Sequence, residues 1–507
     1  MKKKTVLVSI SKTWIYSNTG IDMLAGYLRP KGHSIDINYY HQGEDIDTII
    51  KDIDINHDIY GFSVYSSNYY DFIRLSEYIK SNNHKAVIVW GGSFPTMYYE
   101  KLLSKHECID YIILGDGEYP MEYLLNSIYE GKDIHHDSIA FADDKNAKFP
   151  YLNNLINHLP VWDYYEKILP EMNKYKIHCI QSKNNICTGM CSFCFERKGR
   201  ITYKGIDTII KEVDYVTSVL GVKKIYFTDD NLLDPNNQSA KLRIWDLCKA
   251  IEQLNKRIIF TCYIKAISFK DTEFDNQLLK LMSYVGFATM FIGIESGNND
   301  DLKLYNKLTN VNDNYMIIDL LERYNIQPLV GFINFNPYSN LEKLKQNFIF
   351  LSKIKSVNLF SYACSFLNIY EGTAIYEKAK NDGLLKDSYS FIDDLEYCFQ
   401  DKDAEKIISF LKENVIQRID GLRYQTSWIM QKCEDAIRLN SEAIYLKNRL
   451  LEWKSRDYLK IQEFFSVIFI ENDLNKAYEK IDRFFDYFEN SQAELRSIVK
   501  EIGEYFE

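Results

Sequence analysis

Short apolar runs of strand length alternate with helix-period segments in two series along this chain. That alternation leaves little besides parallel sheets covered by helices. The first series is Thr5–Ile10, Ser34–Tyr39, Ile59–Val64, Ala86–Trp90 and Tyr111–Leu114, with helical patterns such as Ile21–Leu28 between the runs. Thr5–Ile10, bounded by polar residues, reads as a parallel strand buried on both faces. The alternation predicts an α/β, doubly wound sheet whose ligands bind at the carboxyl ends of the strands. The second series begins with the apolar residues Ile177, Cys179 and Ile180. It continues at Lys224–Thr228, Ile258–Cys262, Ala288–Ile294, Pro328–Phe335 and Leu359–Phe366. Repeated βα units of this kind close into a partial or full (β/α) barrel with its chemistry at the carboxyl ends.

From Asp393 onward glycine and proline almost vanish. Apolar residues recur there at helical spacing, first at Ile407, Ile408, Phe410, Leu411 and Val415, then on one expected stripe at Leu459, Ile461, Phe464, Phe465 and Phe469. This predicts a helical bundle. Between the two series lies Leu159-Pro160-Val161-Trp162-Asp163, where the proline biases the residue before it toward an extended linker. The expected organisation is a first α/β domain over 1–145, a linker over 146–178, a barrel over 179–385 and a helical domain over 386–507. A length of 507 residues matches roughly three domains at a prior of about 150 residues each.

The barrel series carries Cys187-Thr-Gly-Met-Cys191-Ser-Phe-Cys194 directly after its first run. Three cysteines at this spacing can converge their thiolates on one metal centre from a single short loop, and Gly189 lets that loop turn tightly. Three thiolates leave one coordination site of a cubane iron-sulfur cluster open, which is what catalysis needs. Two plainer readings stand beside this one: a zinc site closed by a distant residue, or three buried thiols. The next cysteines, Cys248 and Cys262, are far off in sequence. Phe193 and Phe195 can shield a cluster from water.

Polar clusters recur where the predicted strands end. Asp229 and Asp230 place negative charge where a cationic group could be held, or else cap a helix. Lys265 offers a point charge to a carboxylate, while Glu295 and Ser296 can accept from and donate to an amine or a hydroxyl. In the first domain, Gly91-Gly92-Ser93 and Gly115-Asp116-Gly117-Glu118 follow strands, where glycines permit close backbone approach or simply make turns.

A net charge of -10 argues against broad nucleic-acid binding, which needs a basic face. No apolar run reaches the ~20 residues of a membrane span, and the N-terminal apolar stretch is too short for a signal peptide, so a cytoplasmic location is expected. The 10 cysteines are then expected to be reduced thiols, with only the close triple demanding a metal. Cys398 and Cys433 read as core residues rather than ligands of a second cluster.

The Cys187, Cys191, Cys194 spacing resembles the signature of the radical S-adenosylmethionine (radical SAM) enzymes, in which SAM chelates the open iron of a 4Fe-4S cluster. Other stretches are similar, in the same order, to the cobalamin-dependent members of that superfamily. Trp90-Gly91-Gly92-Ser93-Phe94-Pro95-Thr96 and the Gly115–Glu118 turn resemble their cobalamin-binding domain, and Leu159–Asp163 resembles their connector. Thr228-Asp229-Asp230-Asn231, Gly293-Ile294-Glu295-Ser296-Gly297 and Gly372-Thr373-Ala374-Ile375-Tyr376 resemble stretches of their barrel. The chain departs from the family pattern twice. It lacks the Asp-x-His-x-x-Gly motif that supplies histidine to cobalt, so His33 and His41 are not expected as cobalt ligands. Gly331-Phe332-Ile333-Asn334-Phe335-Asn336-Pro337 lacks the second glycine of Gly-Phe-Pro-Gly, which implies remodelled substrate contacts.

The resemblance implies a Rossmann-like cobalamin-binding domain, a radical SAM barrel and a C-terminal helical domain that selects the substrate. It implies that Cys187, Cys191 and Cys194 hold the cluster, and that Asp229, Asp230, Lys265, Glu295 and Ser296 contact SAM. It further implies cobalamin contacts from Tyr65, Ser66, Ser67, Gly91, Gly92, Ser93, Gly115, Gly117 and Glu118, with Tyr65–Ser67 near the lower face of cobalt. The implied activity is methylation of an unactivated carbon in a natural-product intermediate or peptide. A 5'-deoxyadenosyl radical abstracts hydrogen, methylcobalamin gives the methyl group, and a flavodoxin- or ferredoxin-type donor supplies electrons. The alternatives are a non-methylating rearrangement, ring contraction, cyclisation or oxidation with the same cofactors, and a non-catalytic cobalamin or redox sensor.

Overall fold

The computed structural model describes residues 4–11, 19–41, 44–144, 146, 148–152, 157–167, 177–184, 186–195, 199–234, 236–355, 359–386, 396–418, 434–435, 438 and 444–503. The chain forms two compact units, Met1–Ile186 with Arg197–Asp230, and Cys187–Glu196 with Asn231–Glu507.

The first unit is built on a six-stranded sheet of β1 (Thr5–Ser11), β2 (Ile35–His41), β3 (Ile59–Ser63), β4 (Val87–Gly91), β5 (Tyr111–Ile113) and β6 (Ile139–Ala140), in the order β2-β1-β3-β4-β5-β6. The first five strands are parallel and β6 is antiparallel to β5. Leu7 on β1 pairs with Ile37 on one side and Gly61 on the other. The helices Thr19–Leu28 and Glu118–Glu130 cover one face through Ile21, Ala25, Leu28, Met121, Leu124 and Leu125. The two-residue β6 is an addition to the expected strands, too short to show a period in sequence.

This unit also holds the connector and the parallel pair β7 (Ile177–Ile180) and β8 (Lys224–Phe227). The connector is tied down along its length. Val161 N donates to Asp22 O at 3.0 Å, and Arg29 makes two 2.7 Å bonds to the Asp163 carboxylate. A Cβ on Gly26 would lie 2.1 Å from Leu159 O, so only glycine admits the linker there. Trp162 stacks on Tyr215 at 4.7 Å between centroids. Tyr165 of the helix Asp163–Lys167 bonds His178 Nδ1 at 2.7 Å, and His178 Nε2 meets Glu212 at 2.9 Å. Lys204 meets the other Glu212 oxygen at 2.5 Å.

The second unit contains three parallel strands, β9 (Ile259–Lys265), β10 (Phe287–Glu295) and β11 (Gln327–Phe332). The register between β10 and β11 shifts from Gly293 to Glu295, a bulge that re-aims the end of β10. Leu359–Phe366, expected as a strand, contains instead the helix Leu359–Ala363. Phe360 of that helix packs against Phe465, Phe484 and Phe488, so burial among aromatics decides against the extended form. Only an isolated bridge between Phe335 and Phe366 remains of the expected strand pairing.

The C-terminal helices Lys402–Asn414, Ile444–Phe469 and Leu474–Gly503 form the expected bundle. Ile461, Phe464, Phe465 and Phe469 are buried, whereas Leu459 lies on the other side of its helix and is exposed. Cys398 is half-buried; Cys433 lies outside the described residues.

Asp457 is buried between the last two helices, accepts from Ser491 Oγ at 2.6 Å, and burial pushes its carboxyl up to about 6. A carboxyl raised from 3.8 to about 6 binds its proton more tightly when folded. Its burial therefore costs stability at pH 7, and the cost is relieved as pH falls through 6 toward 3.8. Asp457→Asn keeps an acceptor for Ser491 and removes the charge. It should stabilise the bundle at pH 7 by on the order of 3 kcal/mol and flatten this acid-side rise. Melting temperatures of both proteins at neutral and mildly acid pH check it.

Candidate active site

The three-cysteine loop is fixed through the residues between its cysteines. Ser192 N donates to Tyr305 O at 2.9 Å, Ser192 Oγ donates to Leu304 O at 2.7 Å, and Ser192 O accepts from Ile375 N at 2.9 Å. Met190 O accepts from Asn306 Nδ2 at 2.7 Å. Phe193 packs edge-on to the buried Tyr305 ring at 5.4 Å, within an apolar cluster of Ile333, Leu367, Ile369 and Ile375. These bonds leave all three thiols half-buried on a preformed loop, with Gly189 N donating to Cys187 Sγ at 3.3 Å. Burial pushes the Cys191 thiol up, and the Lys307 ammonium opposes that rise.

Two ion pairs flank the loop. Asp234, fully buried, accepts from Thr188 N at 2.6 Å, from Thr188 Oγ1 and from Lys265 Nζ at 3.0 Å. Lys265 also donates to Thr188 Oγ1 at 2.8 Å. Burial opposes the charge on Asp234, but Thr188 and Lys265 outweigh it and hold the carboxyl below its ordinary range. Glu295 ends β10 with φ at +66°, a conformation that costs a non-glycine residue on the order of 1–3 kcal/mol and tends to mark functional sites. The bulge turns its side chain over the strands: Glu295 Oε1 lies 2.7 Å from where a Gly293 Cβ would stand, and Lys307 Nζ meets that oxygen at 3.2 Å. Burial opposes the charge on Lys307, but Glu295 and the Cys191 sulfur outweigh it and hold the ammonium above its ordinary range.

Other expected ligands are taken up by the protein itself. Ser296 is fully buried, and its hydroxyl donates to Asn347 Oδ1 at 2.9 Å. Asn347 also accepts from Gly297 N at 2.8 Å, so Ser296 anchors the turn after Glu295. Asp229, in the first unit, is fully buried; it accepts from Ser182 N and Lys183 N at 2.9 Å each and from Ser182 Oγ at 2.6 Å. Its carboxylate shapes the loop after β7, which is a third role beside ligand binding and helix capping. Asp230 is exposed, while its neighbour Asn231 is fully buried with no hydrogen-bond partner at either amide atom.

In the first unit, the strand order reverses between β1 and β3, which is where a doubly wound sheet opens a ligand crevice. Tyr65, Ser66 and Ser67 follow β3 and are exposed, with Tyr65 N held by Asn68 Oδ1 at 2.7 Å and Asn68 Nδ2 held by Ile10 O at 2.9 Å. Gly92, at φ +114°, lets the turn pass Val64: a Cβ would stand 2.9 Å from Val64 O. Gly115, at φ +84°, does the same beside Tyr151, where a Cβ would stand 2.2 Å from the carbonyl oxygen. These two glycines make chain-to-chain contacts, whereas nothing nearer than Phe62 O at 4.0 Å meets a Cβ on Gly91. Ser93 and Glu118 each start a helix, with Gly92 and Gly117 at the caps and no side chain bonding the first amides. His33 is buried against Tyr129.

Thr188, Asp234, Tyr305, Asn306 and Lys307 are site residues that sequence reading misses. Their partners lie far off in sequence, 12 positions for Lys307 and Glu295, 46 for Thr188 and Asp234 and 116 for Met190 and Asn306, so no local pattern marks them.

The donor set suits a cubane. Among the described residues no three His, Cys, Asp or Glu side chains close on a single metal ion. A cubane does not require that, because each thiolate binds its own iron and the sulfurs stay apart. Among the described residues no helix is long and apolar enough to cross a membrane.

Residues 7–125 match the B12 binding domain family, and residues 182–350 match the radical SAM superfamily. The chain is 25% identical over 357 residues to an uncharacterised methyltransferase of Pyrococcus horikoshii, covering 67% of this chain and 73% of that one. It is 25% identical over 274 residues to the anaerobic magnesium-protoporphyrin IX monomethyl ester cyclase of Synechocystis sp., covering 51% of this chain and 52% of that one. It is 24% identical over 365 residues to the 4'-phospho-dehydrooxetanocin synthase of Priestia megaterium, covering 66% of this chain and 48% of that one. The chain thus spans about half the length of the latter two. In fold it is similar to OxsB, a cobalamin-dependent S-adenosylmethionine radical enzyme solved with aqua-cobalamin and S-adenosylmethionine bound. The TM-score is 0.76 at 17% identity, covering 99% of this chain and 80% of that one. It is also similar to the methyltransferase TsrM of Kitasatospora setae, solved with cobalamin and a 4Fe-4S cluster bound, at TM-score 0.59 and 15% identity over 75% of each chain. Two matched domains, a shared architecture and a three-thiol loop on a clamped backbone make this chain a cobalamin-dependent radical SAM enzyme whose cofactors are cobalamin, SAM and a 4Fe-4S cluster.

Proposed function

We propose that the protein methylates an unactivated carbon of a small natural-product intermediate or peptide. The observation that carries the reading is the loop after β3, which offers Tyr65, Ser66 and Ser67 at the crevice and no histidine. Tyr65, Ser66 and Ser67 would meet a cobalamin held there with hydroxyl groups rather than an imidazole, which would suit the methyl-carrying chemistry that this group supplies. When bound, the cofactors would supply reductive cleavage of SAM and a carrier for the methyl group.

The chain's own residues bind and orient. Cys187, Cys191 and Cys194 hold the cluster, and Phe193 with Tyr305 excludes water from its base. Glu295, turned inward by the bulge and paired with Lys307, is placed for the amine or a ribose hydroxyl of SAM. Asn231, buried with a free donor and a free acceptor, is a second polar contact for the same ligand. Tyr65, Ser66, Ser67, Gly91, Ser93, Gly117 and Glu118 line the strand ends where cobalamin is proposed to bind.

The second reading, a rearrangement or cyclisation with the same cofactors, draws support from the similarity to a cyclase and an oxetanocin synthase. Anaerobic protein loaded with iron, sulfide and cob(II)alamin is given a strong reductant and SAM labelled at its methyl group. Label recovered in the corrin fraction is the expected result, and it needs no knowledge of the substrate. Release of 5'-deoxyadenosine with no label on the corrin would overturn methylation in favour of rearrangement.

A further inference from the structure

Lys265 and Asp234 form a pair at the edge of the cluster loop whose two ends face different things. Asp234 is fully buried and grips the backbone and hydroxyl of Thr188, the residue next to Cys187. Lys265 closes the triangle from the last position of β9, donating both to Asp234 and to Thr188 Oγ1. The ammonium and the Cys187 sulfur border the same space beside Gly189. A Cβ placed on Gly189 would stand 3.3 Å from Cys187 Sγ and 3.8 Å from Lys265 Nζ, so one small gap separates thiol and ammonium.

We propose that Asp234 and Lys265 are positioning residues that hold Cys187 and set the reduction potential of the cluster. The inference rests on the reading that Cys187, Cys191 and Cys194 bind a 4Fe-4S cluster. Lys265, expected at the SAM carboxylate, gives two bonds of its ammonium to Thr188 Oγ1 on the loop and to Asp234. Reduction adds an electron to an already anionic cluster. A nearby ammonium favours the reduced state and raises the potential, and a nearby carboxylate lowers it. The pair therefore partly cancels its own field, and removing either charge unbalances it in the opposite direction.

The test is the midpoint potential of the reconstituted full-length protein, followed by the EPR signal of the reduced cluster, together with iron content and SAM affinity. Lys265→Met should retain iron and shift the potential downward. Asp234→Asn, which can still accept from Thr188, should retain iron and shift it upward. Asp234→Ala, which releases Thr188, should bind less iron than the wild type. Opposite shifts from the two charge variants are not produced by a residue with a merely structural role. Potentials unmoved in both variants would overturn the inference, as would Lys265→Met weakening SAM binding at an unchanged potential. A wild-type protein that takes up no iron-sulfur cluster would instead overturn the cluster assignment itself, so the two failures are distinguishable.

Discussion

Replacing Cys191 with alanine should reduce 5'-deoxyadenosine formation to background while leaving the fold intact. Each thiolate of the triple holds one iron, so two thiolates leave two irons of a cubane without a protein ligand, and the cluster is lost or incompletely assembled. The loop does not depend on the cysteine for its shape. Its anchors are Thr188 on Asp234, Met190 on Asn306 and Ser192 on Leu304, Tyr305 and Ile375. Burial also pushes this thiol up, so in the metal-free protein it is neutral. Iron and sulfide content should fall sharply, reductive SAM cleavage should vanish, and the melting temperature of metal-free protein should move little. Retained cleavage at near wild-type rate would show that another residue ligates the cluster.

The largest effect on stability should come from Glu212. Its carboxylate is buried to 1% exposure and takes His178 on one oxygen and Lys204, itself at 1%, on the other. Burial opposes its charge, but Lys204 and His178 outweigh it and hold the carboxyl below its ordinary 4.5. Glu212→Ala leaves the Lys204 ammonium buried beside a hole. Breaking one partner of a buried pair costs about 3–5 kcal/mol. The damage should reach the connector, because Tyr165 is held by the same His178. The pH sign follows from the depressed value: the contribution of Glu212 is fully present above pH 4.5 and fades as pH falls through the folded-state value. Glu212→Gln should therefore lower stability at neutral pH and lose this part of the acid-side slope. Chemical denaturation of both variants at neutral and acid pH measures it, and variants within about 1 kcal/mol of wild type would refute the network's role.

Which parts of this molecule could be seen in its sequence follows from how local their causes are. Strands buried on both faces leave continuous apolar runs, so β1, β3, β4 and β7 stand out without any tertiary information. The cysteine triple stands out because its ligands share one loop. Residues whose role is set by distant partners do not. Lys307 and Asp234 look like any surface charge until β10 and the segment after β8 bring them to the loop. Glu212 falls on the apolar stripe of its helix with Ile209, Val213 and Val216, and only the fold brings His178 and Lys204 to it there. Leu359–Phe366 has strand composition, but the helices that make it a helix lie about a hundred residues later in the chain. Asp229 and Ser296 sit at strand ends, where ligands are expected, and their bonds to Ser182 and Asn347 come from distant segments that no local pattern shows.

Everything proposed about catalysis depends on one iron that no protein side chain ligates. Electron-nuclear double resonance on the reduced, reconstituted protein, with SAM isotopically labelled at its carboxylate oxygens and amino nitrogen, tests that directly. Hyperfine coupling from both labels to the cluster spin is the predicted result. A reduced cluster whose spectrum shows no coupling to either label at saturating SAM would contradict the account.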